Sequence, residues 1–115
     1  MKSITAAELK KALEEKSEKI LLVDVRETDE IREEASFLSG VRGYVNFPLS
    51  VIRMIPGEEL KQRFEELSEK TGIPFTEARI ILFCRSGARS CIAQEVLALY
   101  GIDTESLEGG NAGWL

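Results

Sequence analysis

The sequence predicts an α/β fold with a mainly parallel sheet. Two observations carry this. "KILLVDV" (19–25) and "ARIILF" (78–83) are near-continuous apolar runs rich in branched residues, the pattern of strands buried on both faces. The stretches between such runs read as amphipathic helices with start and stop signals, and strand–helix alternation implies parallel pairing. At 115 residues the chain fits one domain, 1–115, with a single core.

The elements follow in order. In "ITAAELKKALEEKS" (4–17), Thr5 and Glu8 have capping-box spacing, and Leu9 and Leu13 give a short amphipathic helix. The strand 19–25 comes next. "TDEIREEA" (28–35) reads as a short charged helix capped by Thr28, and 36–43 as loop. "YVNFPL" (44–49) reads as a short strand ended by Pro48. "PGEELKQRFEELSEKTG" (56–72) opens on Pro56 and closes on Gly72, with Leu60, Phe64 and Leu67 as its buried stripe. After the strand 78–83, "ARSCIAQEVLALYG" (88–101) is a helix with Ile92, Val96 and Leu99 on the face expected to be buried, and Gly101 past its end. Cys91 falls in this pattern and is expected to pack. "DTESLEGG" (103–110) supplies a last strand and a turn.

Composition narrows the partners. The net charge of −5 argues against nucleic acid or an anionic membrane as the main partner. No apolar run approaches the ~20 residues of a membrane span. "MKSITAAELKKALEEKSEK" has no apolar centre of secretory type, so the expected location is cytoplasmic. Two cysteines seven residues apart make a poor disulfide framework and point to reduced thiols. With no histidine and two separated cysteines, neither a metal site nor a cofactor is expected.

The chemistry-bearing stretch is "CRSGARS" (84–90). Cys84 directly follows a buried strand, and a helix is expected about four residues later. Ligands of open parallel sheets bind beyond the carboxyl ends of the strands. A short glycine-containing loop there turns successive N–H groups inward as an anion-binding nest, and the helix adds its partly positive N-terminus. Gly87 permits φ > 0, and Arg85 and Arg89 add full charges. Such surroundings lower a thiol pKa from ~8.5. Without histidine, Cys-His chemistry is excluded and the thiol must be activated by electrostatics alone. A core cysteine after an apolar strand is the plainer reading, but it has no need of two arginines, a glycine and two serines.

These residues resemble the rhodanese family of sulfurtransferases. "CRSGAR" is similar to that family's Cys-Arg-x-Gly-x-Arg active-site loop. "LLVDVRETDE" (21–30) resembles its early strand signature through Asp24, Arg26 and Glu30. "GYVNFPL" (43–49) resembles its Gly-Ala-x-Asn-Ile-Pro segment through Gly43, Asn46 and Pro48, and "LEGGNAGW" (107–114) its closing turn through Trp114. The resemblance implies a three-layer fold, a sheet of about five parallel strands with helices on both faces. It also implies that Cys84 takes the outer sulfur of thiosulfate or a similar anionic donor as a persulfide, and passes it to cyanide, a thiol or a partner protein. Arg85, Ser86, Gly87, Ala88 and Arg89 would form the substrate-binding loop. In it Arg85 meets the donor, and Arg89 either joins it or braces the loop. Asp24 and Arg26 would support the loop, against the simpler reading of a solvated strand end.

The sequence departs from the family pattern at three points. Gly40 and Val41 stand about where the family has His-Ile, the stretch from Glu30 to Gly43 is about five residues longer, and the chain stops one residue after Trp114, where many relatives carry a helix. The extra segment, "EEASFLSG" (33–40), is expected near the rim of the site. Two other functions remain open at this stage. A phosphatase or arsenate reductase on the same fold uses Cys-x5-Arg, one residue longer than the span from Cys84 to Arg89. A non-catalytic binding module of this kind generally lacks the loop cysteine.

Overall fold

In a computed structural model describing residues 2–15 and 19–114, five strands form one sheet in the order β1-β5-β4-β2-β3, with every neighbouring pair parallel. The strands are β1 (Ser3–Ile4), β2 (Ile20–Asp24), β3 (Tyr44–Asn46), β4 (Arg79–Phe83) and β5 (Glu105–Leu107). The two continuous apolar runs occupy the centre: β2 and β4 pair over five residues, from Ile20 opposite Arg79 to Asp24 opposite Phe83. β1 was not anticipated; a two-residue strand is too short to carry an alternation.

Alternation along the central strands sorts side chains into two apolar layers. Leu21, Val23, Ile80, Leu82 and Cys84 face one side, against α3 (Leu49–Met54), α4 (Leu60–Thr71) and α5 (Ala88–Leu99). Ile20, Leu22, Ile81, Phe83 and Leu107 face the other, where Leu9 and Ala12 of α1 (Ala6–Glu14) join Leu38. The three-layer expectation is met. α1 is entered through the expected box: Glu8 N–H donates to Thr5 Oγ1 at 3.1 Å and Thr5 N–H to Glu8 Oε1 at 3.0 Å. α4 follows Pro56 and one 3-10 turn, Gly57–Glu59, and ends at Gly72 with φ +74°.

Three local readings are corrected. α2 (Thr28–Glu33) is capped by Glu27, not Thr28; Glu27 N–H donates to the Glu30 carboxylate at 3.1 Å, so the capping pair lies one residue earlier. The segment read as a strand through Leu49 pairs only over Tyr44–Asn46, and after Pro48 the chain forms α3, which was not anticipated.

The third correction concerns α5. Its buried residues are Ser90, Ala93, Gln94 and Leu97, whereas Leu99 is 79% exposed, Ile92 lies at the surface, and Cys91 is an exposed free thiol instead of a packed one. Polar contacts set this rotation. Gln94 Nε2 donates to Lys2 O (2.7 Å) and Thr104 O (2.9 Å), and Ser90 Oγ meets Ser106 Oγ at 2.7 Å. Buried hydrogen bonds to main-chain carbonyls outweigh one apolar stripe, because a buried group left unpaired costs about 1–3 kcal/mol.

Candidate active site

The site lies at the carboxyl ends of β4 and β2. Cys84 follows β4 and is almost fully buried. Gly87 has φ +109°, a left-handed conformation that L side chains rarely adopt, and it caps α5. This turn folds the loop back over the sulfur, so that Gly87 N–H donates to Cys84 Sγ at 3.1 Å. Burial opposes ionisation, but hydrogen bonds from the backbone N–H groups of Ser90, Gly87, Ser86 and Arg89 outweigh it and hold the thiol pKa below its ordinary value. The amide nest read from the loop composition is therefore present. Ala88 opens α5 at the exposed surface of the loop.

The two loop arginines differ. Arg89 forms a two-pronged pair with Glu30 of α2, through Nη1 to Oε1 and Nη2 to Oε2 (2.8 Å). Chiefly through that bond, the Glu30 carboxyl is held down to about 2. Arg85 is exposed, and among the described residues its guanidinium has no ion-pair partner. Arg89 is placed as a brace, which leaves Arg85 as the loop's uncommitted cation.

Asp24 and Arg26 are buried, not a solvated strand end. Arg26 Nη2 and Nε donate to Asp24 Oδ2 (2.9 Å) and Oδ1 (3.0 Å), and Arg26 Nη1 reaches Glu34 O at 2.9 Å. That bond to Asp24 raises the Arg26 pKa. Tyr44 Oη donates to Asp24 Oδ2 at 2.7 Å, and burial followed by this bond pushes the phenol well above its ordinary value. Asn46 Nδ2 ties Asp24 O (2.8 Å) to Arg26 O (3.0 Å). No sequence signal marked the Tyr44 hydroxyl. Asn46 and Glu30 stood in the recognised segments with no role attached.

The closing turn packs directly on the loop. Asn111 N–H donates to Cys84 O at 2.7 Å and Ala112 N–H to Arg85 O at 2.9 Å. Gly110 (φ +57°) makes the approach: a Cβ there would run into Cys84 O and lie 2.8 Å from Arg85 O. The extra segment joins the same corner, with Ser36 Oγ donating to Asn111 Oδ1 at 2.8 Å. A surface cavity of about 760 Å³ lies at the opposite end of the sheet, against Lys61, Arg79 and Glu105, away from this chemistry.

A family model described as "Rhodanese-like domain" matches residues 5–115. The chain belongs to the rhodanese-like family. Its sequence is 34% identical over 83 residues to a Schizosaccharomyces pombe protein provisionally assigned as a mitochondrial thiosulfate sulfurtransferase. That alignment takes in 70% of this chain and 52% of the relative, so the chain spans about half the relative's length. A rhodanese-like domain protein from Staphylococcus aureus superposes with a TM-score of 0.72 at 27% identity, over 100% of this chain and 92% of that one. A rhodanese homologue from Thermus thermophilus gives 0.59 at 26%, over 96% of each. A single-domain sulfurtransferase of Saccharomyces cerevisiae (TM-score 0.62, 24% identity, 98% and 87% covered) shares the fold. Among the described residues, no helix of this rhodanese-like chain is long and apolar enough to cross a membrane.

Proposed function

We propose that this rhodanese-like protein is a sulfurtransferase that carries a sulfane sulfur on Cys84. The observation that carries the reading is a buried thiol at the end of a central strand, accepting the Gly87 N–H at 3.1 Å in a chain without histidine, where the loop amides lower its pKa. Fixed dipoles aimed at one sulfur stabilise a charge there without a proton-accepting side chain. The Cys84 thiolate attacks the outer sulfur of thiosulfate or a similar anionic donor. A new S–S bond forms, the donor's S–S bond breaks, and sulfite leaves with the electron pair. A thiophilic acceptor (cyanide, a thiol or a protein cysteine) then takes the terminal sulfur, and the Cys84 thiolate departs.

Arg85 meets the donor's negative charge, while Ser86, Gly87, Arg89 and Ser90 supply amides and Ala88 completes the loop. Asp24 and Arg26 hold the strand end beneath. No step calls for a metal or cofactor. Two free cysteines suit a reducing compartment such as the cytoplasm, the location favoured from sequence.

Incubation with thiosulfate should add one sulfur, about 32 Da, and cyanide or a thiol should remove it. Cys84→Ser should lose both the mass gain and turnover, while Cys91→Ser should keep both. A wild-type protein that never gains sulfur, or a Cys84→Ser protein that still does, rejects the reading in favour of a binding module.

A further inference from the structure

Next to the catalytic sulfur lies a pair of buried hydroxyls. Ser90 Oγ is 3.9 Å from Cys84 Sγ, 3.0 Å from Gly87 O and 2.7 Å from Ser106 Oγ of β5. Both serines are buried, Ser90 completely. Ser106 Oγ also meets Cys91 Sγ at 3.7 Å, beside a cavity of about 510 Å³ that Ser106 and Cys91 both line.

A serine hydroxyl has one proton to give and two lone pairs. With Cys84 as a thiol, the arrangement closes without conflict. The S–H donates to Ser90 Oγ, the Ser90 O–H to Gly87 O, and the Ser106 O–H to the second lone pair of Ser90. When Cys84 ionises, its donor is gone, and the Ser90 hydroxyl has reason to turn towards the charge. Gly87 O is not stranded by that turn, because Cys91 N–H donates to it at 3.3 Å. Ser106 keeps the Ser90 oxygen supplied with a donor throughout.

We infer that Ser90 and Ser106 form a hydroxyl switch that stabilises Cys84 as a bare thiolate, Ser90 by turning its proton to the sulfur and Ser106 by holding Ser90 in place. Ser90 Oγ lies within long hydrogen-bond reach of the reacting atom, at 3.9 Å; Ser106 is a positioning residue that acts through it. The inference builds on the proposed sulfur transfer and adds a direction to it. In the persulfide the negative charge sits on the outer sulfur, beyond Ser90, whereas on discharge it returns to Sγ. The switch therefore favours the leaving thiolate and speeds the second half of the cycle.

Ser90→Ala and Ser106→Ala each remove one oxygen without adding volume, and the double variant combines them. Arg85 and Arg89 on the loop, with Glu30 and Glu27 beside Arg89, stay in place in each variant. The pH dependence of Cys84 alkylation by iodoacetamide, resolved by peptide mass so that Cys91 is counted separately, reads the thiol pKa with no sulfur donor present. Ser90→Ala should raise that pKa by about one unit, the loss of one charge-assisted hydrogen bond at long range. Ser106→Ala should raise it less, and should add nothing once Ser90 is alanine. Discharge of preformed persulfide to cyanide should slow about tenfold in Ser90→Ala. A wild-type thiol pKa in Ser90→Ala overturns the inference, as does an equal Ser106→Ala shift in both backgrounds. A wild-type protein that takes up no sulfur overturns the proposed transfer, while the alkylation series still decides on the switch.

Discussion

Removing Asp24 should cost this chain a large part of its stability, and the structure gives the size of the loss. The Asp24 carboxylate accepts from Arg26 Nη2 (2.9 Å), Arg26 Nε (3.0 Å), the Arg26 backbone N–H (3.2 Å) and Tyr44 Oη (2.7 Å), in a buried setting. Asp24→Ala leaves the Arg26 guanidinium, 2% exposed, with Glu34 O as its remaining partner. Breaking a buried ion pair in this way costs about 3–5 kcal/mol, because the surviving charge stays desolvated. That is a large fraction of the ~5–15 kcal/mol that holds a typical domain together. Urea denaturation followed by the fluorescence of the single tryptophan, Trp114, would measure it. Arg26→Ala should cost a similar amount by stranding Asp24. The double variant should cost little more than either single one, since neither charge then remains. A loss below ~1 kcal/mol for Asp24→Ala, or strictly additive single effects, would refute the claim that the two charges are held by each other.

Three further outcomes follow from the geometry. Gly110→Ala should destabilise by about 2–4 kcal/mol and impair sulfur transfer together, because its Cβ meets the Cys84 and Arg85 backbone at a φ of +57°; kinetics and a thermal melt on one preparation check both. Arg85→Ala should lower kcat/KM for thiosulfate by about 10- to 150-fold, one charge-assisted contact, with no change in Tm. Acid should loosen the brace. The Glu30 carboxyl lies at about 2, below its ordinary 4.5, so its contribution is complete above ~4.5 and is lost as pH falls through about 2. The pair is about one-third exposed, which limits this contribution to about 1 kcal/mol, and the melt of Glu30→Gln should lack that part of the acid dependence.

The central strands and the cysteine loop were legible because each rests on chain-local chemistry. A branched apolar run has one natural place in such a fold, the middle of the sheet. Gly87 by itself would mean little, but Cys84 and two arginines stand within three residues of it. What escaped the sequence depends on partners far along the chain. The rotation of α5 is fixed by Gln94 reaching Lys2 O and Thr104 O, so a count of apolar residues alone selected Ile92, Val96 and Leu99, of which Leu99 stands in solvent. α3 was missed because six residues are too few for a period and Pro48 served equally as strand end and helix entry. The assignment of Arg89 as a brace needed Glu30, 59 residues earlier.

The hydrogen bonds from Asn111 and Ala112 have a consequence for the polarity of the loop. A trans peptide unit is rigid and planar, so its N–H points opposite to its C=O. Anchoring the carbonyls of Cys84 and Arg85 on the closing turn turns the amides of Arg85 and Ser86 the other way, and the Ser86 amide is one of those that hold the sulfur. The turn thus acts as a backstop that orients dipoles using main-chain atoms alone. Side chains at Ala112 can change without disturbing it, whereas any change that lifts residues 110–112 by about an ångström lets those peptide planes swing and weakens the field at the sulfur through the Ser86 amide, with every loop residue still present.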